Sequence, residues 1–429
     1  MRCDTANHHV LTCGRWLSSH GQAVAAAGKL LVGLVITGVL VVVACPVASA
    51  EESPPSRARP LAEVAPRVDR VEPVDAAELE TALDRGVAYL VGEQRPDGSW
   101  GSADNTKGGV DIYAPPPGAH YAFRSAVTGL CVSALLETDR DTADVAAAID
   151  RGADWLLERL PRLRRATPDA LYNVWGHAYG IEALALVLPR HADDPDRQAA
   201  IRECIASQVE LLDRYESVNG GWGYYDFEIG ARKPAASPNS FTTATVLLAL
   251  ADARDAGVDV PQQLIDRGLA AIHRQTRPDR SYLYGEYFKY RPAHPINRPG
   301  GSLGRSHACN AALRRFGDPD VTDAAIKAWL DRLVARNGWL DLGRKKPIPH
   351  ESWFAVAGYF FYYGHFYAAE CIGLLPEADR AAFQDQLARI MLPLQEPSGC
   401  WWDYPFYDYH MQYGTAFAIR TLVRCRHAE

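Results

Sequence analysis

The sequence predicts an all-α fold built from about six helix pairs, arranged as an outer and an inner layer. Three observations carry this. The pattern Q-x-x-x-G-x-W occurs near both ends of the folded region, as Gln94, Gly98 and Trp100 and again as Gln395, Gly399 and Trp401. An Asp-Arg-Gly triplet sits early in three apolar helical runs, at Asp84, Asp150 and Asp266; the spacings are 66 and 116 residues, the second being twice 58. A self-similar period of about 60 residues marks a repeat architecture, in which each unit buries its apolar face against its neighbours. Third, the helical runs are of two alternating kinds, one amphipathic and one apolar on most faces.

The chain opens on a leader. Residues 30–44 are 15 uncharged, mostly apolar residues, preceded by Arg15 and Lys29 and followed by Glu51 and Glu52. This is the pattern of a secretory signal, with Ala48-Ser49-Ala50 as a small-residue cleavage site. Two other readings stay open. Val42-Val43-Ala44-Cys45 resembles a lipobox, although Pro46 is unusual after it, and the 21 uncharged residues 30–50 are long enough for an uncleaved anchor. In each case the charge bias leaves the body exported, on the outer side of a membrane, either released or attached through this segment. Residues 51–75, rich in Pro, Arg, Glu and Ala without a period, are predicted as a disordered linker.

The body is predicted over residues 76–426. First helices begin near Ala77, Val145, Gln198, Pro261, Thr322 and Ala381, and carry charged residues along one side. Second helices centre on residues 126–136, 177–188, 242–252, 308–316, 365–375 and 415–423 and are richer in small apolar residues, which places them inside. Returns from second to first helices are short and acidic, and their Asp and Thr residues read as N-caps. Connections from first to second helices are long and aromatic: residues 102–123, 223–240, 277–305 and 341–353. In a ring of pairs these emerge on one rim, where repeat proteins concentrate binding. Further Gly-Trp punctuation at Gly221-Trp222 and Gly338-Trp339 is counted with the repeats. A net charge of −7 argues against nucleic acid as a partner. The six cysteines of the body form no C-x-x-C pair and lie mostly in apolar helical runs, so buried thiols are expected and a zinc knuckle is not.

The Q-x-x-x-G-x-W repeats, the Arg-Gly starts and the helix pairing resemble the prenyltransferase and squalene-cyclase repeat superfamily, over about residues 77–423. The resemblance implies an α/α toroid, a structural role for Gln94, Trp100, Gln395 and Trp401 in tying helix ends together, and an isoprenoid or other apolar ligand in a central cavity. The chain departs from the pattern in places. Ser281-Tyr282 stands after Gln275 where tryptophan is expected, and the second repeat lacks Gly-Trp. The Asp-x-Asp-Asp acid of the cyclases, the Asp-x-Cys zinc ligands of the protein prenyltransferases and the Cys-Gly-Glu-Gln thioester of complement-type toroids are all absent from the sequence. No catalytic residue therefore carries over, and no metal or cofactor is expected.

Candidate residues come from internal matches. Gly176-His177-Ala178-Tyr179 with Glu182, and Gly364-His365-Phe366-Tyr367 with Glu370, both read G-H-x-Y-x-x-E in repeats on opposite sides of a six-pair ring. One reading sets His177 and His365 across the hollow as proton donor and acceptor, with Tyr179, Tyr367, Glu182 and Glu370 as ligand contacts. The other has the histidines bonding loop carbonyls and the Tyr and Glu side chains bonding across neighbouring helices. Asp226 beside Tyr225, and Asp403 with Trp402, Tyr409 and His410, place further acid–base candidates, Asp226, Asp403 and His410, among aromatic rings. That composition suits cations, stacked sugars or a packed plug alike. His307 near Cys309 completes the set. The readings kept are an exported protein binding or transforming an apolar ligand, a non-catalytic module whose rim contacts polysaccharide or protein, and a sugar-acting lyase or hydrolase.

Overall fold

The computed structural model describes residues 60–427, apart from 108–113, 227, 229–232, 236–237, 352 and 354. The leader readings, Cys45 included, fall on residues outside the described ones. Thirteen helices are present among them: α1 (Ala76–Gly92), α2 (Ala119–Glu137), α3 (Ala143–Arg159), α4 (Asn173–Val187), α5 (Pro195–Tyr215), α6 (Ser240–Asp255), α7 (Gln262–His273), α8 (Pro299–Arg315), α9 (Asp323–Ala335), α10 (Asn337–Asp341), α11 (Phe360–Gly373), α12 (Ala381–Met391) and α13 (His410–Arg424). The described residues contain no strand, only isolated bridges, and no helix long and apolar enough to cross a membrane.

Twelve of these helices make six pairs. Helices α2, α4, α6, α8, α11 and α13 pack each on the next, and α13 packs back on α2, so the inner layer closes on itself. Burial separates the layers. Inner α6 buries 12 of its 16 residues, on every face, whereas outer α3 buries 7 of 17, at positions 145, 148, 149, 152, 153, 155 and 156. Inner helices approach closely where they carry glycine: a Cβ on Gly129 would lie 2.5 Å from the Tyr179 carbonyl oxygen, and one on Gly364 2.8 Å from Gly304 Cα. Three of the acidic returns cap the outer helices, while the one before α12 does not, its N-cap being Arg380 without a side-chain bond. Thr142, Asp194 and Thr322 accept from the amides of Val145, Arg197 and Ala325.

The repeated motif is a joint between successive pairs. Trp100 Nε1 donates to Leu90 O at 2.7 Å, and Gln94 Nε2 donates to Gly98 O at 2.9 Å and to Ala148 O of the next outer helix at 2.8 Å. Trp401 and Gln395 repeat these bonds to Met391, Gly399 and Ala82, which joins the last pair to the first. Trp222 follows the same plan, with Glu216 in the place of glutamine and bonded to Arg267 at 2.8 Å. Each Asp-Arg-Gly glycine gives the preceding tryptophan room: a Cβ on Gly152 would lie 2.9 Å from the Trp100 ring.

Two expectations change. Gly338-Trp339 is no joint; it lies within the short helix α10, and the indole is only half-buried. Residues 60–75, expected as linker, run as a strap along α9 and α12. Arg332 donates to the carbonyls of Leu61 and Val64, Gln386 to Asp69, and Arg389 to Glu72 and Pro73. The strap is held through its backbone carbonyls, which every sequence possesses, so composition does not announce it. All six body cysteines are buried and free.

Candidate functional site

The ring does not enclose one continuous hollow. Tyr179 of α4, Thr245 of α6 and Tyr367 of α11 meet near its middle, where Thr245 Oγ1 lies 3.0 Å from both Tyr363 OH and Tyr367 OH. This septum has a cavity on either side, and Tyr179 lines both.

The first cavity, about 420 Å³, opens under the long loops. The inner helices give it Phe123, Trp175, Phe241, Phe360, Tyr363 and Phe417, and the loops give it Tyr172, Tyr225, Tyr404 and Phe406. Among the described residues 21 line it, of which 16 are Tyr, Phe or Trp and none is Asp, Glu, Lys or Arg. The volume is that of a small-molecule site, and the wall is apolar, its rings packed edge-on in some pairs and stacked in others, as Trp175 is on Tyr179 and Phe241.

Polar atoms on this wall form a line. His350 Nδ1 donates to Ala355 O at 2.7 Å, which leaves Nε2 to accept from Tyr359 OH at 3.0 Å. Tyr359 OH lies 3.5 Å from Tyr284 OH, which in turn bonds Tyr224 OH. Burial lowers the His350 pKa and raises those of the three phenols, so the line is neutral at physiological pH. The loop that presents His350 holds both it and Ala355 at positive φ, 63° and 48°. Such backbone is costly outside glycine and clusters at functional sites.

Asp403 sits one side chain behind the wall. Its Oδ1 accepts from Tyr413 OH at 2.7 Å and its Oδ2 from the Tyr362 amide at 3.0 Å, and Tyr413 lines the cavity. Burial pushes its pKa up to about 7. Of the other candidates, Tyr225 and Tyr409 face the cavity, and Tyr409 OH lies 3.1 Å from His120 Nδ1. Asp226 is buried beside Tyr225, outside the lining, with its carboxylate accepting from Glu228 N at 3.3 Å. His410 donates to Tyr407 O at 2.6 Å and packs edge-on against Trp402, whose ring carries the Lys107 and Lys345 ammonium groups 4.2 and 4.5 Å away, outside the cavity.

The three remaining histidines lie between the layers. His177 Nδ1 donates to Gln208 Oε1 of α5 at 2.7 Å, and its Nε2 accepts from Asn173 at 3.2 Å. His365 donates to Phe361 O at 2.6 Å and meets the Asn337 amide at 2.9 Å, and His307 lies 3.3 Å from Leu303 O and edge-on to Trp329 of α9. Burial pushes each of the three to about 4. His177 and His365 thus do not face each other across a hollow. Residues two apart on a helix are about 200° apart, so once Tyr179 and Tyr367 point inward the histidines must point outward.

The second cavity, about 410 Å³, lies at the mouth with the short returns. Glu182 and Glu370, with Tyr179 and Tyr367, line it. Arg420 bonds Glu182 at 2.6 Å and Glu137 at 2.7 Å, and Arg424 bonds Glu370 at 2.6 Å. Burial alone would raise the Glu137 carboxyl, but the two guanidinium charges hold it down at about 2. His350, Tyr359, Tyr284, Tyr413, Trp175 and Arg420 were not singled out by the sequence. The aromatic density of the long loops was the one signal pointing to them.

Solved structures match this ring closely enough to decide its fold. The GH76A α-1,6-mannanase of Salegentibacter sp. HEL1_6 superposes with a TM-score of 0.53 at 12% identity, covering 81% of this chain and 100% of that one. The unsaturated glucuronyl hydrolase of Bacillus sp. GL1 gives 0.53 at 12% identity, over 81% and 96%. The chain is an α/α toroid. A type II terpene cyclase from Scytonema matches over 82% of this chain and 98% of that one at 16% identity, but its TM-score of 0.44 is too low to bear on ligand or chemistry. No protein-family model and no curated protein matches the chain. At these identities the likeness is one of fold, and the toroid's function rests on its own side chains.

Proposed function

We propose that this toroid binds an isoprenoid or comparably apolar ligand in the aromatic cavity, as an exported protein that meets such ligands at a membrane surface. The observation that carries the reading is the uncharged, ring-lined wall. Binding there buries apolar ligand surface, at about 25 cal/mol per Å², and among the described lining residues no ionised side chain has to be desolvated. The line from His350 through Tyr359 and Tyr284 to Tyr224 offers one polar edge for a ligand hydroxyl or carbonyl. Asp403, whose pKa burial raises to about 7, is the group best suited to exchange a proton with the cavity, through Tyr413. The ring faces would stabilise positive charge developing on such a ligand.

A second reading is supported by the same phenol hydroxyls: a neutral saccharide stacked on the rings. Glycoside cleavage ordinarily uses two carboxyl groups flanking the bond, and among the described residues the lining of this cavity carries none.

The full chain, produced in a membrane-containing host and released gently, is expected to carry a stoichiometric apolar lipid in native mass spectrometry. Farnesol or squalene should bind the emptied protein, and Ala126→Trp, which fills the cavity from α2, should weaken binding by about tenfold or more without lowering the melting temperature. Retention of neutral oligosaccharides with no binding of isoprenoids would replace this reading by the second.

A further inference from the structure

The charged cavity at the other mouth has a ligand chemistry of its own. Its walls carry five carboxyl groups, Glu137, Glu182, Asp252, Asp255 and Glu370, against three guanidinium groups, Arg315, Arg420 and Arg424. Four of the five carboxyl groups are paired: Glu137, Glu182 and Glu370 with Arg420 and Arg424, and Asp255 with Arg315. Asp252 is the exception. Among the described residues its carboxyl group has neither an ion-pair nor a hydrogen-bond partner, and the residue is half-buried in the wall of the cavity it lines. It also stands in the last turn of α6, where the helix dipole disfavours a negative charge. Asp252 is faced by Glu182 from α4, Glu370 from α11, Arg420 from α13 and Arg315 from α8, and burial first, then the two glutamates, push its pKa well up.

An unpartnered acid in such a place lacks a cation. A metal is a poor candidate, because no three His, Cys, Asp or Glu side chains converge as ligands among the described residues. The rest of the wall is apolar, with Leu186, Leu248, Leu374 and Phe366 beside the charged belt. We propose that this second cavity binds a small organic cation, an amine with a compact apolar body, whose ammonium group pairs with Asp252 while its body lies against Leu186, Leu248 and Leu374. Pairing with the ammonium group favours the ionised carboxyl, so binding lowers the Asp252 pKa and is linked to proton release.

The test is calorimetry on the full-length protein with cyclohexylamine and, as the uncharged comparison, cyclohexanol, between about pH 5.5 and about pH 8.5, a range in which an amine of pKa about 10 stays charged. The amine is expected to bind about tenfold tighter than the alcohol or better, to gain affinity as pH rises, and to release close to one proton on the acid side, read from buffers of different ionisation enthalpy. Asp252→Asn mimics the neutral acid, so it should melt no lower than the parent chain while losing the amine's advantage over the alcohol. Ala126→Trp, in the other cavity, should leave amine binding unchanged, which separates this site from the aromatic one. Equal binding of amine and alcohol, absence of proton release, full amine affinity in Asp252→Asn, or a marked fall in that variant's melting temperature would each overturn the proposal.

Discussion

Asp403 shows what the fold does to a single side chain. In the unfolded chain its carboxyl group titrates near 3.8, and in the toroid burial moves it to about 7. Between these values the folded chain holds a proton that the unfolded chain has lost, so this residue's contribution to stability falls as pH rises from about 4 to about 7. Asp403→Asn removes the dependence. Urea unfolding at pH 5 and pH 7.5 should show the variant gaining about 2 to 3 kcal/mol on the parent across that interval; parallel behaviour of the two would place Asp403 in an ordinary, ionised environment. The aromatic neighbours of Asp403 are plain in the sequence. Its bonds to Tyr413 and the Tyr362 amide are not, because Tyr362 lies 41 residues away, across the joint between two helix pairs.

The tryptophan joint at Trp100, Trp222 and Trp401 ties one helix pair to the next, and its tightest point is a glycine. Gly98 has φ +89°, and a Cβ there would lie 2.4 Å from the Arg151 carbonyl oxygen. Neither the backbone nor the neighbouring helix admits a side chain. Gly98→Ala should cost about 2 kcal/mol or more in unfolding free energy. Gly92→Ala, at the end of α1 with nothing within 4 Å of the added atom, should be neutral or slightly stabilising. Equal effects would mean that the joint relaxes freely. At this scale the sequence is informative: the glycine, the glutamine and the tryptophan are all within seven residues. The strap of residues 60–75 is the opposite case, since the arginines that hold it lie on α9 and α12.

The whole toroid carries a built-in response to acid. His177, His307, His365 and His410 are all pushed from 6.5 to about 4 by burial. Between those values the unfolded chain binds more protons than the folded one, so stability is lost as pH falls through that window. These four histidines take up protons on unfolding, against the protons that Asp403 and Asp252 hold in the fold. A net uptake of two protons corresponds to about 3 kcal/mol per pH unit. Over two units that is comparable to the whole stability of an ordinary domain. The melting temperature should therefore drop steeply between about pH 6.5 and about pH 4, and His177→Gln should make the slope shallower by about one proton. A flat profile would mean that the buried histidines are protonated in the fold. The Glu137 ion pairs act lower, persisting until pH falls from about 4.5 toward about 2.

By itself the sequence determined the repeat, the six helix pairs, which helix of each pair is inner, the capped returns and the aromatic rim. Those features rest on local chemistry: a period, a turn, a cap, or a charged side against an apolar one. Only the tertiary structure decided what the inner faces build. A helix buried on all sides has no hydrophobic period to mark which face meets the hollow, so the rotation of α4 and α11, and with it the outward turn of His177 and His365, is set by packing. The septum needs Tyr179, Thr245 and Tyr367 from three helices, and the phenol line joins Tyr224 to His350 across more than a hundred residues. The division into an apolar and a charged cavity exists only once the ring has closed and α13 has brought Arg420 against Glu137 and Glu182.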